Sequence, residues 1–161
     1  LDAWRSVTTN IPNAELIIAG NGEEETALHA QAANLPRVTF QPPPSDAEAR
    51  ALIASADVFA APALHGESFG LVLIEAMAAG TLPVAAANEG FATVMTGTGA
   101  DLLVPPGDAA ALAQTLINLA SDPAKRTQLT KWASKHAMEF DVATVGPEYV
   151  KLYAQALAAP T

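Results

Sequence analysis

The sequence predicts an α/β fold in which a mostly parallel, doubly wound, Rossmann-like sheet is covered by helices on both faces. Short apolar runs rich in branched residues alternate along the chain with segments of helical periodicity. The 161 residues, 50% hydrophobic and 16% charged, suffice for one domain with a full core. Because alternating strands and helices form crossover units, the strands are expected to run parallel.

The predicted elements follow one another without an internal repeat, a linker or a low-complexity tract. Strands are expected at residues 14–19, 37–40, 57–61, 83–87 and 102–104. Helices are expected at residues 1–9, 23–33, 46–55, 91–96, 109–120, 122–140 and 141–158, with one more between Ser68 and Gly80. Strand 14–19 has the branched apolar character of a buried parallel strand. Gly97 to Gly99 reads as a turn, and Ser45 or Asp46 caps the helix at 46–55.

Residues 66–80, G-E-S-F-G-L-V-L-I-E-A-M-A-A-G, predict a loop that turns into a helix. Ser68 is a candidate cap for its start, and Gly80 for the left-handed residue that ends it. Its buried face is expected to carry the residues with helical spacing, namely Phe69, Val72, Leu73, Ala76, Met77 and Gly80. Glu75 lies seven residues after Ser68, about two turns, and leans back toward the helix start.

The start of this helix is a candidate phosphate site. Helix starts present unpaired amides and the positive end of the helix dipole. Gly70 leaves out a side chain where a phosphate would approach, and Glu67 and Glu75 flank the position. In parallel sheets, ligands bind beyond the carboxyl ends of the strands, where this loop also lies. A purely structural helix is equally compatible with the residues taken alone.

The stretch with Glu67, seven residues and then Glu75 resembles the signature of the retaining GT-B glycosyltransferases of family four. Within that family it is most similar to the bacterial phosphatidylinositol mannosyltransferase type. The resemblance runs from about Leu1 to about Leu157 and covers only the C-terminal, donor-binding half of such an enzyme. It implies a nucleotide-sugar binding domain of a hexosyltransferase that transfers mannose from GDP-mannose to a phosphatidylinositol-type lipid. A UDP-sugar and another acceptor are the alternative within the family.

The resemblance also implies roles for individual residues. The diphosphate is expected at the helix start, near the backbone amides of Phe69, Gly70, Leu71 and Val72, with Gly66 and Ser68 in the same donor-binding loop. Glu75 matches the position that contacts the ribose hydroxyls, and a carboxylate suits a diol because it accepts two hydrogen bonds. Glu67 matches the position that orients the transferred sugar, and is the candidate catalytic residue.

Three other residues near these motifs are weaker candidates. Pro43 and Pro44 match the segment that holds the nucleobase, although a rigid turn explains them as well. His65 could donate a hydrogen bond to a phosphate, or could simply face solvent. His29 and His136 lie in ordinary helical contexts and receive no role.

The sequence has no D-x-D pair of the kind that holds a divalent metal against a diphosphate. GT-B enzymes resemble one another in needing no such metal, so neither a metal nor another cofactor is expected.

Charge and composition exclude several classes of partner. The net charge is −9, with 17 acidic and 8 basic residues, which argues against nucleic acid and against direct contact with anionic lipid. The chain has no cysteine, which fits a reducing cytoplasm. No apolar run approaches the ~20 residues of a membrane span. We therefore expect a cytoplasmic location, with any contact to the inner face of the membrane made through the other half of the enzyme.

The first residues resemble the interior of a helix, without a signal peptide, so the chain is expected to begin within an element. Relatives carry a strand ending in Gly-Arg, a basic loop and the N-terminal acceptor-binding half before the position of Leu1. These are not in the sequence, so we expect no transfer by this chain alone.

The strand that precedes the position of Leu1 in relatives lies, in the family's sheet order, between the strands at 14–19 and 57–61. The slot is expected to be filled by another polypeptide; direct pairing of the two strands or dimerisation are the other outcomes.

Two further classes of protein are compatible with an α/β pattern. One is a non-catalytic nucleotide-sugar binding or interaction module, which transfer by a full-length enzyme would exclude. The other is a flavodoxin-like receiver domain. That domain needs an acidic cluster at strand ends and a strand-end lysine, and the sequence has neither in that arrangement.

Overall fold

The computed structural model describes residues 1–158, in which strands and helices alternate as expected. This part of the chain has five strands: β1 Leu16–Ala19, β2 Val38–Gln41, β3 Val58–Ala61, β4 Leu82–Ala86 and β5 Leu103–Val104. It has eight α-helices: α1 Trp4–Asn10, α2 Glu25–Ala32, α3 Asp46–Ser55, α4 Leu71–Ala78, α5 Glu89–Val94, α6 Ala109–Ser121, α7 Pro123–Ala137 and α8 Val142–Ala158. Short 3₁₀ helices cover Gly97–Leu102 and Met138–Phe140.

All strand pairs are parallel, as predicted, but they form two sheets instead of one. β1 pairs with β2, with Leu16 opposite Val38. The other sheet has the order β3-β4-β5, with Val58 opposite Leu82. β1 and β3 are therefore not hydrogen-bonded to each other, which confirms that they are not neighbours. Direct pairing of these two strands, one of the three expected outcomes, is wrong.

The larger core surrounds the three-stranded sheet. Every residue of β4 is buried, which requires cover on both of its faces. The buried side chains around it come from helices on either side of β4 and from the segment before β5: Leu73, Met77, Phe91, Val94, Met95, Leu102, Leu119, Leu129 and Ala133. In this core, a parallel sheet is covered by helices, as the sequence predicts.

A smaller core lies beside the two-stranded sheet. Its buried residues are Ala3, at the start of α1, Trp4 and Val7 of α1, and Ala113 of α6. The Trp4 indole Nε1 donates to the carbonyl oxygen of Pro36 at 2.7 Å, which ties α1 to the start of β2. The expectation that β1 is a buried strand is wrong, because its residues alternate between half-buried and exposed and Ile17 is 43% exposed.

Local side-chain caps set several helix starts where the sequence placed them. Ser45 forms a capping box with Glu48, in which each side chain accepts from the other residue's backbone N–H. The Ser45 hydroxyl also donates to Oε2 of Glu48 at 2.6 Å, and this bond, followed by the one from the Ser45 amide, lowers the pKa of Glu48. Asp108, Asp122 and Asp141 cap the starts of α6, α7 and α8.

Three predicted boundaries are wrong, each for a local reason. α5 begins at Glu89, two residues early, because the Asn88 side chain accepts from the Phe91 amide and so starts the helix. The predicted turn at 97–99 is the beginning of a 3₁₀ helix. α7 ends at Ala137, where the chain tightens into a 3₁₀ turn before Asp141.

None of the helices within residues 1–158 is both long and apolar enough to cross a membrane.

Candidate functional site

The central helix, α4, begins at Leu71, and its N-cap residue is Gly70. The expectation that Ser68 caps this helix is wrong, since Ser68 is exposed two residues earlier and no side chain caps the helix start. Gly70 has φ +103°, in the left-handed region that glycine reaches without steric cost. The loop therefore enters the helix through a backbone geometry that a serine cap would not supply.

The start of α4 presents a row of free amides. Within residues 1–158, the N–H groups of Phe69, Gly70, Leu71 and Val72 donate to no backbone carbonyl outside the helix and to no side chain. The Leu73 amide is the first that is used, and donates to Gly70 O at 3.0 Å. Four adjacent unpaired donors at the positive end of a helix form the kind of concave anion site that the sequence predicts.

The missing side chain of Gly70 faces α5. A Cβ atom at this position would lie 2.9 Å from Cδ1 of Phe91 and 3.6 Å from Cγ2 of Val94. The structure thus gives a packing reason for this glycine, and its role in leaving room for a phosphate stays a prediction. The glycine is required for its φ angle and for close packing.

The far end of α4 agrees with the sequence. Gly80 has φ +84°, and the amides of Gly80 and Thr81 donate to Met77 O and Ala76 O, which is a Schellman motif. The predicted buried face is correct for Leu73, Ala76 and Met77, and Val72 is half-buried. It is wrong for its two outermost members, because Phe69 is 39% exposed and Gly80 is exposed.

The two glutamates differ in environment. Glu67 is half-buried in the loop before α4, and Glu75 is exposed on the helix. Glu67 packs against the backbone of α5 at Gly90. The approach is so close that a Cβ atom added at Gly90 would lie 2.3 Å from Glu67 O and 3.0 Å from Glu67 Cγ. The backbone of α5 thus touches Glu67 itself at the one position where a side chain is missing.

Asn88 and Gly90 are site-supporting residues that the sequence reasoning missed. Asn88 is 8% exposed and its Nδ2 donates to Ala63 O at 2.9 Å, so it links the loop before α4 to the start of α5. Both residues lie between a predicted strand and a predicted helix, where the sequence gives no sign of their contacts with the loop before α4. A glycine at a helix start, where no turn requires one, indicates that another part of the chain packs closely on the backbone. This signal could have identified Gly90.

The remaining candidates lie in exposed loops. His65 and Gly66 are exposed in the segment after β3, on the chain just before Glu67. Pro43 is exposed and Pro44 half-buried in the segment after β2, which belongs to the other sheet. Each of these loops follows the carboxyl end of its strand, as expected for ligand-binding loops of parallel sheets.

His136 lies in a helix, α7, as expected, and its burial was not predicted. The residue is 8% exposed, and its Nε2 lies 2.8 Å from the carbonyl oxygen of Val94 at the end of α5. No group of three or more histidine, aspartate or glutamate side chains comes together in the described part of the chain, and independence from metal stays a prediction.

With this geometry in place, the comparisons with known proteins define the class. A family model described as glycosyl transferases group 1 matches residues 1–136. The chain belongs to this glycosyltransferase family. This match confirms the family that residues 66–80 suggested. The relatives described below carry the names of glycosyltransferases.

Among curated relatives, the chain is similar to phosphatidyl-myo-inositol mannosyltransferases. That of Mycobacterium leprae is 37% identical over 154 residues, covering 95% of this chain and 41% of the relative. The D-inositol 3-phosphate glycosyltransferase of Salinispora tropica is 37% identical over 122 residues, covering 76% of this chain and 25% of the relative. The chain therefore spans about two fifths, or less, of the length of the curated relatives it matches.

Two solved structures show the same fold. HepE from Anabaena, in complex with UDP, matches with a TM-score of 0.84 at 25% identity. The match covers 96% of this chain and 44% of the HepE chain. The sucrose-phosphate synthase of Thermosynechococcus elongatus has a TM-score of 0.82 at 28% identity, with 99% of this chain and 42% of that one covered. The architecture is thus that of GT-B glycosyltransferases.

Proposed function

We propose that this chain is the donor-binding part of a retaining hexosyltransferase that transfers mannose from GDP-mannose to a phosphatidylinositol-type lipid. The observation that supports this most directly is the row of four free amides at the start of α4, with Glu67 before it and Glu75 on the helix after it. The amides suit a diphosphate, and the two carboxylates suit the hydroxyls on either side of it.

The start of α4 would bind and stabilise charge. The free amides from Phe69 to Val72 would hold the diphosphate, and would stabilise the negative charge that develops on it as the sugar leaves. Donors fixed by the backbone need no reorganisation during the reaction, which is why such sites are effective in catalysis. Gly70, through its φ of +103°, sets the direction in which these amides point.

The two glutamates would orient the donor. Glu75 would accept hydrogen bonds from the ribose hydroxyls, and Glu67 from hydroxyls of the transferred sugar. The contact of α5 with Glu67 at Gly90 supports the second role, because a residue that orients substrate needs a rigid backbone. Pro43 and Pro44 would position the nucleobase, and His65, Gly66 and Ser68 would line the donor loop.

The names of the relatives favour mannose and an inositol-containing acceptor, since the M. leprae relative is named a phosphatidyl-myo-inositol mannosyltransferase. A second candidate is a transferase that uses a UDP-sugar and another acceptor. The HepE structure, which contains UDP, supports this candidate. A non-catalytic nucleotide-sugar binding module is the third candidate, and a measured transfer would exclude it.

The proposed activity involves further polypeptide. The relatives are more than twice as long as this chain, so we propose that an acceptor-binding half works with it and contacts the lipid. In this proposal the enzyme acts in the cytoplasm at the inner face of the membrane. The net charge of −9 supports an assignment of lipid contact to the other half.

The test is binding and transfer by a full-length enzyme that carries this segment. Calorimetry with GDP, UDP and ADP should rank GDP first, and transfer of mannose to phosphatidylinositol should continue in EDTA. Glu75→Gln should weaken GDP binding by roughly tenfold or more, because a hydrogen bond to a charged group is worth about 1.5–3 kcal/mol.

The matched control is Glu89→Gln, since Glu89 is also an exposed helical glutamate but lies in the first turn of α5. It should leave GDP binding within about twofold. Preferred binding of UDP would favour the second candidate function. Unchanged GDP affinity in Glu75→Gln would remove Glu75 from the ribose role, and a strict need for Mg²⁺ would contradict the metal-free mechanism.

A further inference from the structure

His136, near the end of α7, is buried between two oxygen atoms. Its Nε2 lies 2.8 Å from Val94 O and its Nδ1 lies 3.2 Å from Oε2 of Glu139. A carbonyl oxygen only accepts hydrogen bonds, so Nε2 carries a proton and donates to Val94. A buried polar group without a partner is costly, so this bond is what makes a histidine acceptable in an otherwise apolar surrounding.

The imidazole ring makes two aromatic contacts. Trp132 stacks on the imidazole with ring centroids 5.0 Å apart, and Phe140 meets it edge-on at 5.2 Å. Phe140 in turn meets Phe69 edge-on at 5.9 Å. Through Phe140, the ring therefore connects α7 to the residue before Gly70, where the row of free amides begins.

The hydrogen bond to Val94 reaches the same segment by a second route. Val94 is the last residue of α5, and the second residue of that helix is Gly90, whose backbone packs on Glu67. The hydroxyl of Thr93, also in α5, donates to Gly90 O at 2.6 Å and lies 3.4 Å from Phe69 O. A shift of α5 would therefore displace Glu67 and its neighbours.

We propose that His136 is a positioning residue for the segment Glu67–Gly70, acting through α5 and through Phe140. The proposal rests on the proposed function for its consequence in donor binding, but not for the coupling itself. An apolar ring of similar size would fill the same space and keep the stacking on Trp132. The bond to Val94 and the contact of Nδ1 with Glu139 would be lost, so substitution separates the polar contacts of the ring from its aromatic contacts.

The experiment compares His136→Phe with His136→Gln. Phenylalanine keeps the ring contacts and removes both the contact with Glu139 and the hydrogen bond to Val94 O. The amide nitrogen of glutamine reaches about the position of Nε2 and can restore that bond. Two readouts apply: nucleotide-sugar affinity of the full-length enzyme, measured below the melting temperature of every variant, and the ¹H–¹⁵N shifts of the amides from Glu67 to Gly70.

We expect His136→Phe to shift these four amide signals and to weaken GDP binding by up to about tenfold, because binding must then also restore the position of the segment Glu67–Gly70. His136→Gln restores the bond to Val94 but not the ring contact with Phe140, so it should bring both readouts part of the way back to the wild-type values. The control for simple loss of stability is Leu129→Ala, which removes a buried side chain of α7 that makes none of these contacts. It should lower the melting temperature and leave both readouts of the folded protein unchanged.

Unshifted signals and unchanged affinity in a folded His136→Phe would overturn the proposal, and so would equal effects in Leu129→Ala. If His136→Phe does not fold, His136→Asn replaces it. Its amide overlays Nδ1 and faces Glu139, but does not reach Val94, and unshifted amides there reject the proposal as well. A wild-type enzyme that binds no nucleotide sugar would instead refute the proposed function, while the amide shifts would still decide the role of His136.

Discussion

The two sheets of this protein are built from similar apolar runs and reach different degrees of burial. In the three-stranded sheet, all five residues of β4 are buried and a large core surrounds them. In the two-stranded sheet, no residue of β1 or β2 is fully buried, and Ile17 is 43% exposed. The difference shows that an apolar run specifies a strand, whereas its burial depends on neighbours far away in the chain.

The largest effect that separates the sheets should come from one matched pair of truncations. Leu82 and Leu16 are each the first residue of their strand, but Leu82 is fully buried and Leu16 is half-buried. Leu82→Ala should lower the free energy of unfolding by about 2–5 kcal/mol, and Leu16→Ala by about half of that or less. Chemical denaturation measures both. Equal losses would mean that the two sheets are equally well packed.

The next effect concerns Gly90, where α5 of the larger core packs on the loop with Glu67. Gly90→Ala should destabilise the protein by about 1–3 kcal/mol, because the new methyl group overlaps Glu67 O and the backbone must move. Gly22→Ala is the control, since a Cβ at Gly22 meets nothing within 4 Å, and its effect should stay within about 0.5 kcal/mol. Normal stability of Gly90→Ala would show that the loop moves freely against α5.

Hydrogen exchange should sharpen the contrast at the sheet edges. We propose that an extended segment of further polypeptide lies between β1 and β3, which are in separate sheets. In a full-length enzyme, amides of β1 and β3 should exchange more slowly than in this chain alone, and those of β4 should not change. Unchanged exchange in β1 and β3 would reject the proposal. Protection that depends on the concentration of this chain alone would indicate dimerisation through these edges.

The smallest effect is expected at α3, which buries no residue and depends on its local cap. Ser45→Ala should cost about 1 kcal/mol at neutral pH. Because the folded state lowers the pKa of Glu48 from 4.5, the contribution of Glu48 is present above that value and is lost as the pH falls through the lowered pKa. The difference between wild type and Ser45→Ala should therefore shrink in acid, as thermal melts would show.

The control is Ser55→Ala at the other end of α3, where the hydroxyl donates to Leu52 O and no carboxylate is involved. Its effect should not depend on pH between 3 and 7, taken as about the range over which carboxylates titrate. A constant difference for Ser45→Ala over the same range would remove Glu48 from the cap.

Local features were predictable from the sequence because their causes are local. The caps at Ser45, Asp108 and Asp141 and the left-handed Gly80 depend on a few adjacent residues. The same holds for the order of strands and helices. The candidate site was found through one contiguous stretch, whose family the comparisons confirm.

The contacts that the sequence did not reveal have non-local causes. Gly70 points at Phe91, which is 21 positions along the chain, and Gly90 meets Glu67, which is 23 positions back. The hydrogen bond of His136 crosses 42 positions to Val94. Periodicity carries no information about such contacts, because they depend on how α5 and α7 are placed on the sheet. The division into two sheets has the same origin, since it depends on which strands meet.

The last described helix, α8, has no core beneath it. None of the residues from Val142 to Ala158 is buried, and six large apolar side chains are exposed: Val142, Tyr149, Val150, Leu152, Tyr153 and Leu157. Pro147 lies within the helix, next to Gly146, and removes one of its hydrogen bonds. In proteins, most of the stability of a helix comes from packing of its apolar face, and α8 lacks such packing in the described residues. Binding of a partner to this apolar side would bury these side chains, and burial of apolar surface gives a large negative change in heat capacity. The enthalpy of such binding would therefore vary steeply with temperature.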